Sequence, residues 1–444
     1  MDLQGRKIMV LGLARTGLAV ARFLAGRGAR VVGVDARGED EMREAGGELS
    51  RLAADCHFGP ERTAWLDGVD AVVPSPGVPR DNALLAAAAG RGIEVLSEIE
   101  LAARFSATPM VAVTGTNGKT TTTRLVAAML EAAGLRAFAG GNIGSPLIEY
   151  VGGDWDWGVV EVSSFQLEWV RDFRPRVALF LNLSEDHLDR YDGLSGYGAA
   201  KARIFAAQQP GDVAVLNRDD PWVWGLRGEL DARVVSFGWA EVEEGAFVAG
   251  GDIVWRGEGA EERLPLGDLR LRGVHNVENV MAALCAARAV GVDGRHIRSA
   301  ARRFPGIEHR LEFVRELDGV RYYNDSKGTN VGAVRKSLAS FDAPMVLIAG
   351  GVHKGGSYRA LEPLVRARVR KLILLGASAG LMREALGSSA DTVTVADYPA
   401  AVREARDAAR PGDVVLLSPA CSSFDMFDNY AERGRVFKEL VRAL

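Results

Sequence analysis

A short segment near position 115 combines the residue types that bind phosphate groups. It reads VTGTNGKTT from Val113, so an apolar strand is followed by a glycine loop and then by a lysine and threonines. Backbone N–H groups of such a loop bind phosphate oxygens, the lysine reaches the β- and γ-phosphates, and the first threonine hydroxyl ligates Mg²⁺. The loop is shorter than the usual motif, because valine occupies the position of its first glycine. The segment predicts a nucleoside triphosphate site formed by Gly115, Thr116, Asn117, Gly118, Lys119, Thr120 and Thr121.

Acidic side chains and a histidine accompany the next two apolar runs. Glu161 lies within VVEV, where a carboxylate is costly to bury unless a cation accompanies it. Glu185, Asp186 and His187 come just after the apolar run 177–182. The carboxyl ends of parallel strands form the ligand site of α/β sheets, so Mg²⁺ ligands are expected here. Each residue also has a simpler interpretation, since Glu161 could face water on an edge strand and His187 could be structural.

Lysine is rare in this chain and therefore informative. Of the 54 basic residues, 8 are lysines and 46 are arginines, so lysine is expected where a guanidinium cannot replace it. Lys201 is the only lysine between positions 119 and 327. Its primary amine can lose a proton and react with CO₂ to form an anionic, metal-ligating carbamate, although a surface charge on a helix is the alternative. Four others are interpreted as surface charges: Lys7, Lys336, Lys371 and Lys438.

The N-terminal segment partly matches a dinucleotide-binding motif. A strand leads into GLARTG at 12–17, and Asp35 ends the next apolar run. The glycine spacing is not that of G-x-G-x-x-G. We expect a nucleotide diphosphate at this position, with Thr16 at a helix N-terminus and Asp35 on the base or ribose. The rigid loop around Ser75 would lie near the phosphates.

Three polar segments mark the last third of the chain. They are YNDSKGTN at 323–330, GGVHKGG at 350–356 and SPACSSFD at 418–425. Each lies at the end of a predicted strand or in a tight turn, where α/β sheets bind ligands. Lys327 and Lys354 add two further lysines to polar loops.

The elements that must position these motifs are short strands alternating with helices. Runs rich in Val, Ile and Leu alternate with Ala/Arg-rich stretches throughout, which is typical of parallel α/β sheets. Linker-like segments near 105 and 305 divide the chain into three predicted domains, 1–104, 105–305 and 306–444. Within the second domain, 233–270 has the turn signals of a small β insertion.

Bulk composition excludes several classes of protein. The 444 residues carry a formal net charge of −4, so no broad basic surface for nucleic acid is expected. Three separated cysteines without a CxxC motif argue against disulfides and zinc and for a reducing compartment. The N-terminus lacks a signal-peptide pattern, and no apolar run reaches about 18 residues. We therefore expect a cytoplasmic protein with no membrane partner.

Taken in order, these motifs resemble the Mur ligases, which are ATP-dependent amide-forming enzymes of peptidoglycan precursor synthesis. GTNGKTT at 115–121, EDH at 185–187 and His275-Asn276 with Asn279 look like the wider superfamily, which includes folylpolyglutamate synthetases. SPGVP at 75–79, GNIG at 141–144, SSFQLE at 163–168, NDSKGTN at 324–330 and LSPACSSFD at 417–425 resemble the branch that adds D-glutamate. The resemblance covers essentially the whole chain.

The resemblance implies a three-domain α/β fold. A Rossmann-like N-terminal domain would bind the UDP substrate, a central P-loop ATPase-type domain would bind ATP, and a Rossmann-like C-terminal domain would bind glutamate. In the implied reaction, ATP phosphorylates the terminal carboxylate of UDP-N-acetylmuramoyl-L-alanine, and the glutamate amine then attacks the acyl phosphate. Two Mg²⁺ ions, a carbamylated Lys201 and a monomeric protein are also implied.

The resemblance further assigns roles to individual residues. It implies catalytic roles for Lys119, Asn142, His187 and Lys201, and metal ligands at Thr120, Glu161, His187 and carbamylated Lys201. Beyond the phosphate loop, it implies ATP contacts from Asn276, Asn279, Arg310 and Asp325. It implies UDP-substrate contacts from Arg15, Thr16, Asp35, Arg37 and Ser75, and glutamate contacts from Lys327, Thr329, Lys354, Ser418 and Phe424.

Two positions depart from the family pattern, and two other interpretations stay open. Ala36 stands where the family often has a hydroxyl, and His353 lies in a lysine loop that is usually more acidic. The chain could be a superfamily ligase that adds another amino acid or polyglutamate to a different acceptor, or a non-catalytic nucleotide-binding protein. The loop at 12–17 with SPG at 75–77 favours the D-glutamate-adding branch, although no single residue decides between D- and L-glutamate.

Overall fold

The computed structural model describes residues 2–188, 190–257, 259–271 and 273–444. These residues form three mainly parallel sheets of five, nine and six strands, in chain order. Each sheet is the centre of one α/β domain, so the predicted three-domain α/β fold is confirmed. Within the described ranges, no helix is both long and apolar enough to cross a membrane.

The N-terminal domain has a fully parallel sheet. Its strands are β1 Lys7–Leu11, β2 Arg30–Asp35, β3 Asp55–Phe58, β4 Ala71–Pro74 and β5 Glu94–Val95, and its helices are α1 Arg15–Ala25, α2 Arg43–Arg51, α3 Ala83–Gly90 and α4 Glu98–Phe105. The strand order is β3-β2-β1-β4-β5. Glycine at position 17 lets α1 begin close to the loop after β1, because a Cβ there would lie 2.0 Å from the Gly12 carbonyl oxygen.

The central domain contains the nine-stranded sheet. Its strands are β6 Met110–Thr114, β7 Ala137–Gly141, β8 Trp157–Glu161, β9 Val177–Phe180, β10 Val213–Asn217, β11 Arg233–Gly238, β12 Gly245–Ala249, β13 Asp252–Gly257 and β14 Ala260–Pro265. Its helices are α5 Lys119–Ala132, α6 Ser164–Leu167, α7 Gly193–Ala202, α8 Pro221–Gly225, α9 Val274–Val290 and α10 Gly294–Arg303. The predicted β insertion forms β11 to β14, which continue the same sheet and end in two antiparallel pairs.

The C-terminal domain has a six-stranded sheet in which only the first pair is antiparallel. Its strands are β15 Glu312–Leu317, β16 Val320–Asn324, β17 Met345–Gly350, β18 Val369–Leu375, β19 Asp391–Thr394 and β20 Val414–Leu417. Its helices are α11 Val331–Ala339, α12 Glu362–Arg368, α13 Ala379–Leu386, α14 Tyr398–Ala408 and α15 Tyr430–Arg442. The order β15-β16-β20-β17-β18-β19 places β20 between β16 and β17, so the loops that follow these three strands are neighbours.

Outside the β insertion, the strands with the weakest apolar pattern lie mostly at sheet edges. They are β3, β5, β7, β15, β16 and β19, and all except β16 are terminal in their sheets. An edge strand is covered less completely than a central one, so it needs fewer apolar residues and has a weaker hydrophobic pattern. β1, with the sequence KIMVL, is buried at four of its five positions, whereas none of the four residues of β19 is fully buried.

A buried carboxylate joins the N-terminal and central domains. Glu100, on α4, is 0% exposed. Its oxygens accept hydrogen bonds from the backbone N–H groups of Arg171, Asp172 and Phe173 and from the Arg104 guanidinium at 2.8–3.1 Å. These contacts attach the last helix of the first domain to the chain segment before β9.

Glu100→Ala should lower the free energy of unfolding by about 3 kcal/mol, because it leaves three backbone N–H groups, one of them on the buried Phe173, and an arginine without their buried acceptor. Urea denaturation measures this change. Glu94→Ala is the matched control, since Glu94 pairs with the same arginine but its side chain is 31% exposed, and it should cost less than about 1 kcal/mol. Equal costs for the two variants would contradict the assigned role.

Candidate active site

A cavity of about 630 Å³ lies where the three domains meet. Neighbouring strands β9, β6, β8 and β7 deliver the loops of the central domain to it. The predicted site residues that line it are Arg15, Thr116, Asn117, Gly118, Lys119, Thr120, Asn142, Glu161, His187, Lys201, Arg310, Lys327, Thr329 and Lys354. The structure therefore brings residues from all three domains together, although they are separated by more than 300 positions in the chain.

Asn182, which follows the neighbouring strand β9, holds the phosphate loop between β6 and α5 in shape. Asn117 N–H donates to the side-chain oxygen of Asn182 at 2.9 Å, and the Asn182 amide donates to the Asn117 carbonyl at 3.1 Å. Gly118 has φ +87°, and a Cβ there would lie 2.2 Å from Oδ1 of Asn279. Only glycine fits this turn, because both the conformation and the contact exclude a side chain.

Two lysine amines meet at one carbonyl oxygen. Lys119 Nζ donates to the Gly115 carbonyl at 2.8 Å, and Lys201 Nζ donates to the same oxygen at 3.0 Å. Lys201 is 1% exposed, and its Nζ lies 4.4 Å from the centre of the Tyr197 ring. Burial lowers the pKa of both amines, and the charge of Lys119 lowers that of Lys201 further. Two ammonium groups are thus unfavourable in this position unless an anion joins them.

Glu161, at the end of β8, is surrounded by groups suited to a magnesium site. Its carboxylate is buried, and it accepts hydrogen bonds from the Thr120 hydroxyl at 2.7 Å and from the Asn142 amide at 2.8 Å. Arg310 donates to the same hydroxyl at 2.9 Å. A hydroxyl and a carboxylate within hydrogen-bond distance are oxygen donors of the kind that Mg²⁺ prefers.

His187 presents a neutral ring to the cavity. It adopts a left-handed backbone conformation with φ 55°, and its ring packs edge-on against Phe165 at 4.9 Å. Burial lowers the pKa of His187; the charge of Asp186 opposes this effect, and those of Lys354, Lys201 and Lys119 add to it. A neutral imidazole has a free lone pair, which is the form that binds a metal ion.

A smaller pocket between the central and C-terminal domains adjoins the phosphate loop. Lining it are Asn117, Gly118, Thr121, Asn182, His275, Asn276, Asn279, Arg310, Asp325, Lys327, Gly328, Ala333, Lys336 and Ser337. All the residues predicted to contact ATP line this pocket or the large cavity, except Gly115, which is buried behind them. Burial raises the pKa of Asp325 to about 6, although the Ser337 and Ser418 hydroxyls donate to its carboxylate at 2.7 Å each.

Two of the lysines interpreted as surface charges have other environments. Lys336 lines the smaller pocket, where it forms an ion pair with Glu278 at 2.6 Å. Lys438 is 7% exposed and pairs with both Glu308 and Glu312. The helical segments around these lysines resemble solvated ones in sequence. The packing of α15 buries Lys438, whereas the side chain of Lys336 on α11 stays 26% exposed.

The residues predicted to bind the glutamate substrate divide into two groups. Lys327, Thr329 and Lys354 line the cavity. Burial, followed by the charges of Arg310 and Lys119, lowers the pKa of Lys327 to about 7. Ser418 and Phe424 do not line the cavity: Ser418 is buried against Asp325, and Phe424 is 70% exposed.

Tyr430, at the start of α15, lines the cavity beside Lys327. The Lys327 amine lies 3.9 Å from the centre of its ring. Sequence reasoning missed this residue, together with Asn182, Arg124 and Tyr197. The position of Asn182 directly after an apolar strand could have indicated a site residue. Tyr430, Arg124 and Tyr197 lie in helical segments whose sequences carry no such indication.

The residues predicted to bind the UDP substrate lie at the carboxyl ends of β1, β2 and β4. Asp35 accepts two hydrogen bonds from the Arg37 side chain, at 2.9 and 2.8 Å, and one from the Leu13 N–H. Burial raises the pKa of Asp35, but these hydrogen bonds outweigh it and bring the pKa to about 2. The Ser75 hydroxyl donates to the Gly12 carbonyl at 2.6 Å, so the loops after β1 and β4 are joined. Thr16 lies in the first turn of α1.

Comparison with known proteins identifies the family. Residues 6–97 match the Mur ligase MurD-like N-terminal domain, residues 113–287 the Mur ligase middle domain, and residues 309–421 the Mur ligase glutamate ligase domain. The chain belongs to the Mur ligase family. Curated relatives of this Mur ligase from Geobacter metallireducens and Geotalea uraniireducens are 51% and 52% identical over 447 and 448 residues. Each alignment covers 100% of this chain and 99% of the relative, and both relatives are named UDP-N-acetylmuramoylalanine–D-glutamate ligase.

Solved structures share the fold of this Mur ligase at lower sequence identity. A pseudomurein peptide ligase type C from Methanothermus fervidus has a TM-score of 0.62 at 18% identity, covering 99% of this chain and 100% of that chain. MurF from Acinetobacter baumannii has a TM-score of 0.63 at 16% identity, covering 98% and 91%. At these identities the likeness extends to the three-domain architecture alone.

Asn182→Ala should weaken nucleotide binding by this Mur ligase about tenfold, because it removes the two hydrogen bonds that hold the phosphate loop, at a cost of about 1–2 kcal/mol. Titration with a fluorescent ATP analogue measures the affinity. Asn217→Ala is the control, since Asn217 ends the adjacent strand and donates to the Leu181 carbonyl without contacting the loop. The role of Asn182 is refuted if both variants bind the analogue equally well.

Proposed function

We propose that this Mur ligase joins D-glutamate to UDP-N-acetylmuramoyl-L-alanine in peptidoglycan precursor synthesis and releases ADP and phosphate. The observation that carries the proposal is the identity of about half of all positions, over the whole chain, to relatives named for this reaction. The cavity supports it, because the glycine loop at 115–118, the Glu161 carboxylate and two lysines from the third domain face one space.

ATP is the proposed phosphoryl donor. Lys119 would contact the β- and γ-phosphates, and Arg310 would contact the phosphates as well. Asn276 and Asn279 would line the nucleoside pocket, with Asp325 on the ribose. Thr120 and Glu161 would hold one Mg²⁺, which when bound neutralises phosphate charge.

The acceptor would reach the ATP phosphates from the N-terminal domain. Arg15, Thr16 and Ser75 would hold the diphosphate, with Asp35 and Arg37 at the uridine. Asn142, beside Glu161, would orient the muramoyl carboxylate. A carboxylate oxygen would attack the γ-phosphorus and form a P–O bond, while the bond to ADP breaks and its electron pair leaves with ADP.

Glutamate would enter from the C-terminal domain. Lys327, Lys354 and Thr329 offer two ammonium groups and a hydroxyl, which match the two carboxylates of this substrate. Its neutral amine would attack the carbonyl carbon of the acyl phosphate and form the C–N bond. The tetrahedral intermediate would then expel phosphate as the C–O bond breaks, and the nitrogen would lose one proton, which the released phosphate can take up. We also propose a cytoplasmic monomer that acts on small molecules, with domain boundaries at 104/105 and 305/306, where α4 and α10 end nearby.

Lys201 is the proposed carbamate, which would hold a second Mg²⁺ together with His187. The lowered pKa favours the neutral amine, whose nitrogen attacks CO₂ and then loses a proton, so that N–COO⁻ replaces NH₃⁺. The repulsion between Lys119 and Lys201 at the Gly115 carbonyl supports this assignment. After carbamylation, the same two side chains would form a salt bridge.

The function is tested by incubating the purified protein with ATP, Mg²⁺, UDP-N-acetylmuramoyl-L-alanine and either D- or L-glutamate. We expect an amide product with D-glutamate alone, detected by mass spectrometry and chiral analysis. Product with L-glutamate, or ATP turnover stimulated only by a folate or a longer UDP-peptide, would assign another ligase activity. Nucleotide binding without any amide would assign a binding protein.

Lys201→Ala should reduce kcat by about 100-fold or more, because the second metal position loses a ligand. Added short-chain carboxylic acids should restore part of the rate by supplying the missing carboxylate. Lys201→Arg should stay inactive, since a guanidinium does not form the carbamate. Lys371→Arg, at an ion pair with Asp391 outside the cavity, serves as the control and should keep the wild-type rate. Full activity of Lys201→Arg would exclude the carbamate.

A further inference from the structure

An arginine side chain of the central domain forms hydrogen bonds with the N-terminal domain beside the proposed UDP site. Arg190 donates from Nη1 to the Pro76 carbonyl and from Nη2 to the Val78 carbonyl, both at 3.0 Å. Its side chain is 13% exposed. Both acceptors belong to the loop that follows β4, and the Ser75 hydroxyl joins that loop to the Gly12 carbonyl at 2.6 Å.

The guanidinium is held rigidly from its own side of the interface. Glu168, whose side chain is 1% exposed, accepts from Nε at 3.1 Å and from Nη2 at 2.7 Å. The Tyr191 hydroxyl donates to the same carboxylate at 2.6 Å. The Phe165 ring lies 4.0 Å below the guanidinium carbon. The orientation of Arg190 is therefore supported by partners within the central domain as well as by the loop.

We propose that Arg190 is a positioning residue, which holds the loop of residues 75–79 in the conformation that binds the UDP part of the acceptor. The inference rests on the proposed function for the identity of that acceptor. Two carbonyls of one loop are fixed by a single planar group, so the loop cannot shift away from the loop after β1 without losing charge-assisted hydrogen bonds. Arg190 also follows His187 by three residues, so one chain segment carries a proposed metal ligand and the residue that contacts the loop of residues 75–79.

Arg190→Lys tests the proposal. One ammonium group cannot reach both carbonyls and Glu168 together, so we expect KM for UDP-N-acetylmuramoyl-L-alanine to rise about tenfold or more. KM for ATP, KM for glutamate and kcat should each change less than about threefold, because the loop touches neither of those sites. Glu168→Gln should raise the same KM by a smaller factor, since Arg190 keeps its acceptors in the loop but loses its charged partner.

The control is Arg174→Lys, which alters another central-domain arginine paired with a buried carboxylate, Asp212, at 2.7 Å. It should leave all three KM values within about twofold of the wild type. Equal changes in all three KM values for Arg190→Lys, or no change in any, would overturn the positioning role. If Arg190→Lys fails to fold in thermal unfolding, Glu168→Gln decides the question by the same criterion.

Calorimetry with UDP alone separates this inference from the proposed function. A wild-type protein that forms no amide product but binds UDP, with affinity lost in Arg190→Lys, would refute the ligase activity and support the positioning role. A wild-type ligase whose UDP affinity is unchanged in Arg190→Lys would support the activity and refute the role of Arg190.

Discussion

The convergence of Lys119 and Lys201 on the Gly115 carbonyl is the constraint around which the site is built. Two buried amines within hydrogen-bond distance of one oxygen repel each other when both are charged, and burial already disfavours the charged forms. Anions relieve this repulsion, and the site is arranged to receive them: nucleotide phosphates at the glycine loop and the proposed carbamate on Lys201. The positive charges that remain, on Arg310, Lys327 and Lys354, face the same cavity.

Sheet topology explains how so many functional groups reach one space. In the central sheet, β9, β6, β8 and β7 are neighbours, and their carboxyl ends carry Asn182, the phosphate loop, Glu161 and Asn142. In the C-terminal sheet, β20 separates β16 from β17, so Lys327 and Lys354 emerge on either side of it. Parallel strands all end at the same edge, which turns residues distant in sequence into neighbours.

Interfaces between domains depend on buried charged groups rather than on apolar contact alone. Glu100 accepts three backbone N–H groups from the neighbouring domain, and Arg190 donates to two carbonyls in the opposite direction. Such contacts are directional, because a displaced partner leaves a buried charge unpaired. They therefore help to fix the orientation of the N-terminal domain relative to the central one.

The sequence by itself determined the features that short motifs specify. These are the phosphate loop, the acid and histidine at strand ends, and the central buried strands. These features depend on neighbouring residues, so they are readable without the fold. Only the tertiary structure decided which polar residues share the cavity. Phe424 and Tyr430 lie six positions apart, yet Asp425 ties the loop to the Ala377 N–H and leaves Phe424 outside, whereas Asn429 caps α15 and places Tyr430 inside. The edge strands and the environments of Lys336 and Lys438 could not be predicted from the sequence for the same reason, since partners far along the chain define them.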